Sequence, residues 1–248
     1  MSLRICTYNI HKGFSQFNRR MMIHELRERL RQLEVDIVFL QEVQGLHLGH
    51  ARRHADWPNE PQHEFLARDI WPSAAYGGNA IYDHGHHGNA ILSRYPILST
   101  HNEDVSDHRF ERRGLLHCEI EVTPGQAPIH CVCVHLGLFA GSRRRQMGAL
   151  VRRMAELAGE EAPMIVAGDF NDWRNRAPYH LLSHLNLTEV FSPEGRPPRS
   201  YPSAFPLFRL DRIYVRGLAI EQSAVHFGPP WSSISDHAAL TAELRLPG

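Results

Sequence analysis

An α/β or α+β layered fold is predicted by three features of the 248-residue sequence. Short apolar runs of strand character outnumber helical ones, hairpin-like strand pairs mix with strand–helix–strand units, and Pro or Gly marks most junctions. A simple parallel barrel would alternate strand and helix throughout, and this chain does not. Composition narrows the class further. With 42% hydrophobic and 22% charged residues, the balance is globular and excludes disorder, collagen and coiled coil. No run of about 18 apolar residues occurs, so no transmembrane helix is expected. No repeat, low-complexity tract or linker interrupts residues 1–248, which are read as a single domain.

The elements follow in order. Leu3 to Ile10 alternates apolar and polar residues, the pattern of a half-buried strand. Arg19 to Leu33 sets Met22, Leu26, Leu30 and Leu33 on one helical stripe. Val35 to Leu40 is nearly all apolar, as in a strand covered on both faces. Residues 45–64 lose periodicity and are read as a loop. Asn89 to Ser93, Ile97 to His101, Leu115 to Val122 and Ile129 to His135 are predicted strands. Ser142 is the expected N-cap of a helix carrying Met147, Leu150, Val151, Met154 and Leu157 and ending at Gly159. Met164 to Ala167 is a buried strand, Ala177 to Leu185 a short helix, and a Pro- and Arg-rich loop runs to about residue 208. Leu210 to Val215, Ala219 to Phe227 and Ala238 to Leu246 close the chain as strands.

Charge and cysteine content bear on partners and compartment. Basic and acidic residues balance at 27 each, so a polyanion would be held by a local patch rather than a basic surface. Ser142-Arg143-Arg144-Arg145 is the clearest such patch, either an anion-binding helix start or a solvated one. Cys6, Cys118, Cys131 and Cys133 lie in apolar stretches without C-x-x-C spacing and read as reduced, buried thiols. The N-terminus has no long apolar core, and a cytoplasmic protein is expected. The 18 histidines are the compositional oddity; those concentrated at 47–63 and 84–87 have no enforced ligand spacing and read first as exposed.

Chemistry is concentrated at strand ends. Asn9 follows Thr7-Tyr8, Glu42 follows Phe39-Leu40-Gln41, and His135 ends Val132-Cys133-Val134. Asp169 and Asn171 lie in Gly168-Asp169-Phe170-Asn171, Asp211 in Leu210-Asp211-Arg212, and Asp236 and His237 follow Ser235. Singly, Asn9 would serve a turn, Glu42 a solvated strand end and His135 a satisfied core. Six such deliveries in one chain instead point to one pocket at a sheet edge. Carboxylates and amides suit a hard cation such as Mg²⁺ (or Mn²⁺), and a histidine beside an acid suits phosphate contact or proton transfer. Arg113 adds a planar fork for a phosphate oxygen. The set fits metal-assisted phosphoester hydrolysis.

In this order the motifs resemble the endonuclease/exonuclease/phosphatase superfamily, from about residue 3 to residue 245. The resemblance implies a four-layer α/β sandwich, two packed mixed β-sheets flanked by helices, with a Mg²⁺- or Mn²⁺-dependent site at one end. It implies Glu42 as main metal ligand, with Asn9 and Asp236 assisting. Asp169 would activate the attacking water, Asn171 would bind phosphate, and His237 would contact the scissile phosphate while paired with Asp211. His135 sits where nuclease members place a second catalytic histidine, a candidate acid for the leaving oxygen, with Asn89 at its partner's position; Arg113 matches a phosphate-binding arginine. Val43-Gln44-Gly45 lacks the lysine of abasic-site enzymes, Leu210 replaces the cysteine of inositol 5-phosphatases, and no apolar hairpin of the sphingomyelinase kind is found. The stretches 83–90 and 168–173 look like a bacterial branch. A phosphodiester substrate, nucleic acid or phospholipid head group, is therefore expected. A phosphomonoesterase acting on sugar or lipid phosphates is the alternative, and a non-catalytic binding module is the third reading.

Overall fold

The computed structural model describes residues 1–47, 56–82, 85–107, 111–173, 184–191 and 198–247. Among these residues twelve strands form two six-stranded mixed sheets. The first has the order β11-β12-β1-β2-β4-β3, from Ala219–His226, Ala239–Arg245, Ser2–Asn9, Ile37–His47, Gly85–Ser93 and Ser73–Tyr82. The second has the order β5-β6-β7-β8-β10-β9, from Ile97–Asp104, Gly114–Ile120, Ile129–His135, Met164–Asp169, Asp211–Arg216 and Thr188–Glu189. Each sheet holds one parallel pair, β1 with β2 and β7 with β8. A parallel pair needs a crossover, and α1 (Ile23–Gln32) and α3 (Ala140–Leu157) supply the two.

Strand alternation builds the layers. Ile5, Phe39, Leu116, Cys118, Cys131, Ile165 and Ile213 meet between the sheets. Cys6, Tyr8, Val38 and Leu40 face outward to Leu26 and Leu30 of α1 and Phe65 of α2 (Gln62–Ala67). Val132, Val134 and Val166 face Met147, Leu150 and Met154 of α3. The result is the predicted four-layer sandwich. Burying so much apolar surface on both faces explains why β2 and β7 read as continuous apolar runs. All four cysteines are buried and free. Among the described residues no helix is long and apolar enough to cross a membrane.

Several boundaries differ from the sequence reading. The first helix starts at Ile23 rather than Arg19, because residues 11–18 form two 3₁₀ turns and Phe14 bridges to Met21. β2 continues past Leu40 to His47, and the expected loop 45–64 ends in α2. β3 was not predicted, since Ala74-Ala75-Tyr76-Gly77-Gly78 offers no β-branched residue. Phe139, not Ser142, precedes the third helix, and no side-chain cap forms there. The expected helix 177–185 lies almost wholly outside the described residues.

Candidate active site

The strand ends come together by register. His135 is the Cα partner of Asp169 across the parallel β7–β8 pair, and Asp169 is the partner of Asp211 across β8–β10. Three polar side chains thus form a row on adjacent strands of the second sheet. Gly168 makes the row compact: its φ is +148°, and a Cβ there would lie 1.9 Å from the Val134 carbonyl oxygen. From the first sheet, Asn9 at the end of β1 donates from Nδ2 to Asp169 Oδ2 at 3.2 Å. Glu42 sits where the β2–β4 register shifts between Leu40 and Val43, at φ +56°. Irregularities of this kind re-aim a side chain at a sheet rim.

Around Asp169 the contacts are short and buried. The carboxyl accepts the Asn171 backbone N–H at 2.9 Å, and Oδ2 stands 3.6 Å from His135 Nε2 and 3.8 Å from His237 Nε2. His237 Nδ1 donates to Asp211 Oδ2 at 2.8 Å. Ser235 fixes the turn that carries His237: its Oγ donates to the Asn9 carbonyl at 2.7 Å and accepts the His237 N–H at 3.3 Å. Tyr201 lies against the His237 ring at 4.9 Å, and Trp173 packs edge-on against Tyr201 and Phe208.

Burial and charge set the protonation states. Burial opposes a charge on His237, yet Asp211 and Asp169 outweigh it and raise the imidazolium to about 10. Burial raises Asp169 to about 7, helped by Asp211 and opposed by His237 and the two amide donors. His135 is held well below its ordinary value by burial, then by Arg113 and His237, and is neutral. Burial raises Glu42, but Lys12, His11 and His237 together bring it below the usual carboxylate range. Asp236 follows the same logic, with burial overcome by the His11 hydrogen bond and by His237.

The expected residues are not all placed as the sequence suggested. Asn89 does not orient His135; its Nδ2 donates to the Gly114 and Cys133 carbonyls at 2.9 and 3.3 Å. Arg113 turns its guanidinium onto the Leu136 and Arg112 carbonyls and Glu111, so its contribution near His135 is electrostatic. Asn171 gives one amide hydrogen to the Leu136 carbonyl at 2.8 Å. The arginines at 143–145 divide: Arg143 bonds the Gly137 and Leu138 carbonyls and Arg145 pairs with Asp107. Two residues escaped the sequence reading. Lys12 Nζ lies 3.5 Å from Glu42 Oε2, and His11 Nδ1 lies 3.3 Å from Asp236 Oδ1. Their only signal was position, directly after Asn9-Ile10.

The donor set fits a hard divalent cation. Ligand atoms of Asp169, Asp211 and His237 lie within 4.8 Å of one another, and the charges of Glu42 and Asp236 also act on His237. Asp211 Oδ1 is buried with no hydrogen-bond partner. Glu42 and Asp236 are both held below the usual carboxylate range, so each offers a charged oxygen of the kind such a cation takes.

Comparison with known proteins agrees with this architecture. YbhP of Escherichia coli (strain K12), an uncharacterized protein, is 46% identical over 246 residues, 99% of this chain and 97% of its own. A family protein from Leptotrichia buccalis superposes with a TM-score of 0.76 at 18% identity, over 98% of this chain and 100% of that one. The human Nocturnin catalytic domain gives 0.74 at 18% identity, over 99% and 95%. The model of the endonuclease/exonuclease/phosphatase family matches residues 6–237. With that match over nearly its full length, and with the two-sheet sandwich observed, the chain belongs to the endonuclease/exonuclease/phosphatase family.

Proposed function

We propose that the protein is a Mg²⁺- or Mn²⁺-dependent phosphodiesterase acting on a nucleic acid or a phospholipid-type diester. The observation that carries this reading is the buried row His135–Asp169–Asp211 with His237 bonded to Asp211 at 2.8 Å. Glu42, with Asn9 and Asp236, would hold the cation, which polarises a phosphoryl oxygen and offsets its developing charge. Asp169 takes a proton from the attacking water, and a carboxyl raised to about 7 is matched to that task near neutrality. The water oxygen bonds to phosphorus as the ester P–O bond breaks, and the departing alkoxide takes its proton from solvent. His237 stays protonated, with Asp211 fixing its ring, and its Nε2–H faces the phosphate as an electrostatic clamp. Asn171 adds its second amide hydrogen. His135, being neutral, contributes a hydrogen bond near the leaving oxygen rather than a full proton.

The test is hydrolysis of bis-p-nitrophenyl phosphate beside p-nitrophenyl phosphate, with and without chelator. Metal-dependent turnover of the diester that is lost in Asp169→Asn and His237→Ala is the expected result. Turnover that persists in chelator or in both variants overturns the reading, and preference for the monoester moves the assignment to a phosphatase.

A further inference from the structure

A second cluster of ligating side chains lies on the outer face of the second sheet, away from the cleft. His117 and Glu119 share one face of β6, and His130 of β7 is the Cα partner of Glu119. His117 Nε2 and His130 Nδ1 stand 3.0 Å apart, with ring planes within 5° of parallel. Ligand atoms of all three residues lie within 4.8 Å of one another. His117 is 2% exposed and its Nδ1 has no hydrogen-bond partner, while His130 is 6% exposed. Burial holds both rings in the neutral form that ligates metals.

We propose that His117, His130 and Glu119 bind a late first-row transition metal ion, zinc being the natural case, separately from the catalytic cation. Two imidazole nitrogens and a carboxylate oxygen are a donor set for Zn²⁺, whereas Mg²⁺ takes oxygen almost exclusively. Zn–N bonds of about 2.0–2.1 Å give a tetrahedral edge of about 3.3 Å, so the ion takes the place of the His117–His130 hydrogen bond, the nitrogens parting by a few tenths of an ångström and the rings turning toward it. The position is distinct from the active site. His130 and His135 are five residues apart on one strand, about 17 Å at β spacing, and face opposite sides of the sheet. His101, which stacks over His117, lines an open groove of about 490 Å³ beside α3. Arg153, which also lines the groove, is paired with Glu103 and Glu156, and Arg216 with the Ala162, Leu185 and Gly159 carbonyls.

Metal-stripped protein is titrated with Co²⁺ in the presence of excess Mg²⁺, and the visible ligand-field absorption is followed. One equivalent with a tetrahedral band is expected for the native chain and for Asp169→Asn, and loss of that band for His130→Gln and Glu119→Ala. If His130→Gln does not fold, Glu119→Ala on the strand surface decides. No such band in the native chain, its survival in Glu119→Ala, or its loss in Asp169→Asn overturns the site.

Discussion

His237 Nδ1 and Asp211 Oδ2 stand 2.8 Å apart in a space from which Asp211 is wholly removed from solvent. Within that pair the carboxylate decides the charge of the ring, because burial alone would drive the imidazole neutral. Asp211→Asn keeps the shape and removes the charge. We expect kcat to fall about 10²–10⁴-fold. The alkaline limb of the pH–rate profile should move down from about 10 toward the ordinary histidine range. A profile that keeps its alkaline limb in place would show that Asp211 only packs.

Gly168→Ala tests how the row of three is spaced. The new methyl meets the Val134 carbonyl, and the φ of +148° is one that only glycine adopts without strain. Loss of about 3 kcal/mol or more is expected, with β7 and β8 forced apart. Urea unfolding measures it; a midpoint equal to that of the native chain contradicts the prediction.

Arg212 is among the largest fully buried side chains, and its Nη1 donates to Glu189 Oε1 at 3.0 Å. Glu189→Ala leaves a buried guanidinium without that carboxylate. The expected cost is about 3–5 kcal/mol, read as a lowered denaturation midpoint. Catalytic constants of the folded fraction should remain near native, since Glu189 touches none of the cleft residues named above.

Acid should weaken the fold through buried histidines. His63 stacks on Tyr76 at 4.7 Å and is lowered to about 4 by burial, as is His117. An unfolded chain takes up protons below about 6.5 that the folded rings refuse. Their contribution is therefore complete above about 6.5 and is lost as pH falls toward about 4. Asp169, raised to about 7, acts in the opposite sense over the same interval, so a difference measurement is needed. His63→Phe should flatten the acid side of the stability curve in chelator-containing buffer, and an unchanged slope would refute the assignment.

Sequence was most informative where a strand delivers its last residue. Asn9, His135, Asp169 and Asp211 all follow or precede an apolar run, and the backbone then leaves little choice of destination. Glu42 was equally visible, although the register shift that aims it was not. What stayed hidden depends on side-chain direction or on turns. Asn89 and Arg113 occupy the expected neighbourhood, yet backbone carbonyls capture their donors. His11 and Lys12 reach the cleft through residues of positive φ, a conformation no side-chain pattern announces. The His117–His130 pair was missed because one histidine on each of two strands carries no spacing signal until the register is known.

The Asn9–Asp169 hydrogen bond joins residues 160 positions apart and ties one sheet to the other. Gln41 and Cys133 form a second such tie deeper in the sandwich, Nε2 to Sγ at 3.2 Å. Catalytic alignment is consequently a property of how two slabs are seated, and a sub-ångström slip between them would shift Asn9 and Glu42 against the His135–Asp169–Asp211 row. Volume changes at inter-slab positions such as Leu116 or Ile165 should therefore appear first as lost turnover, before any loss of folded protein.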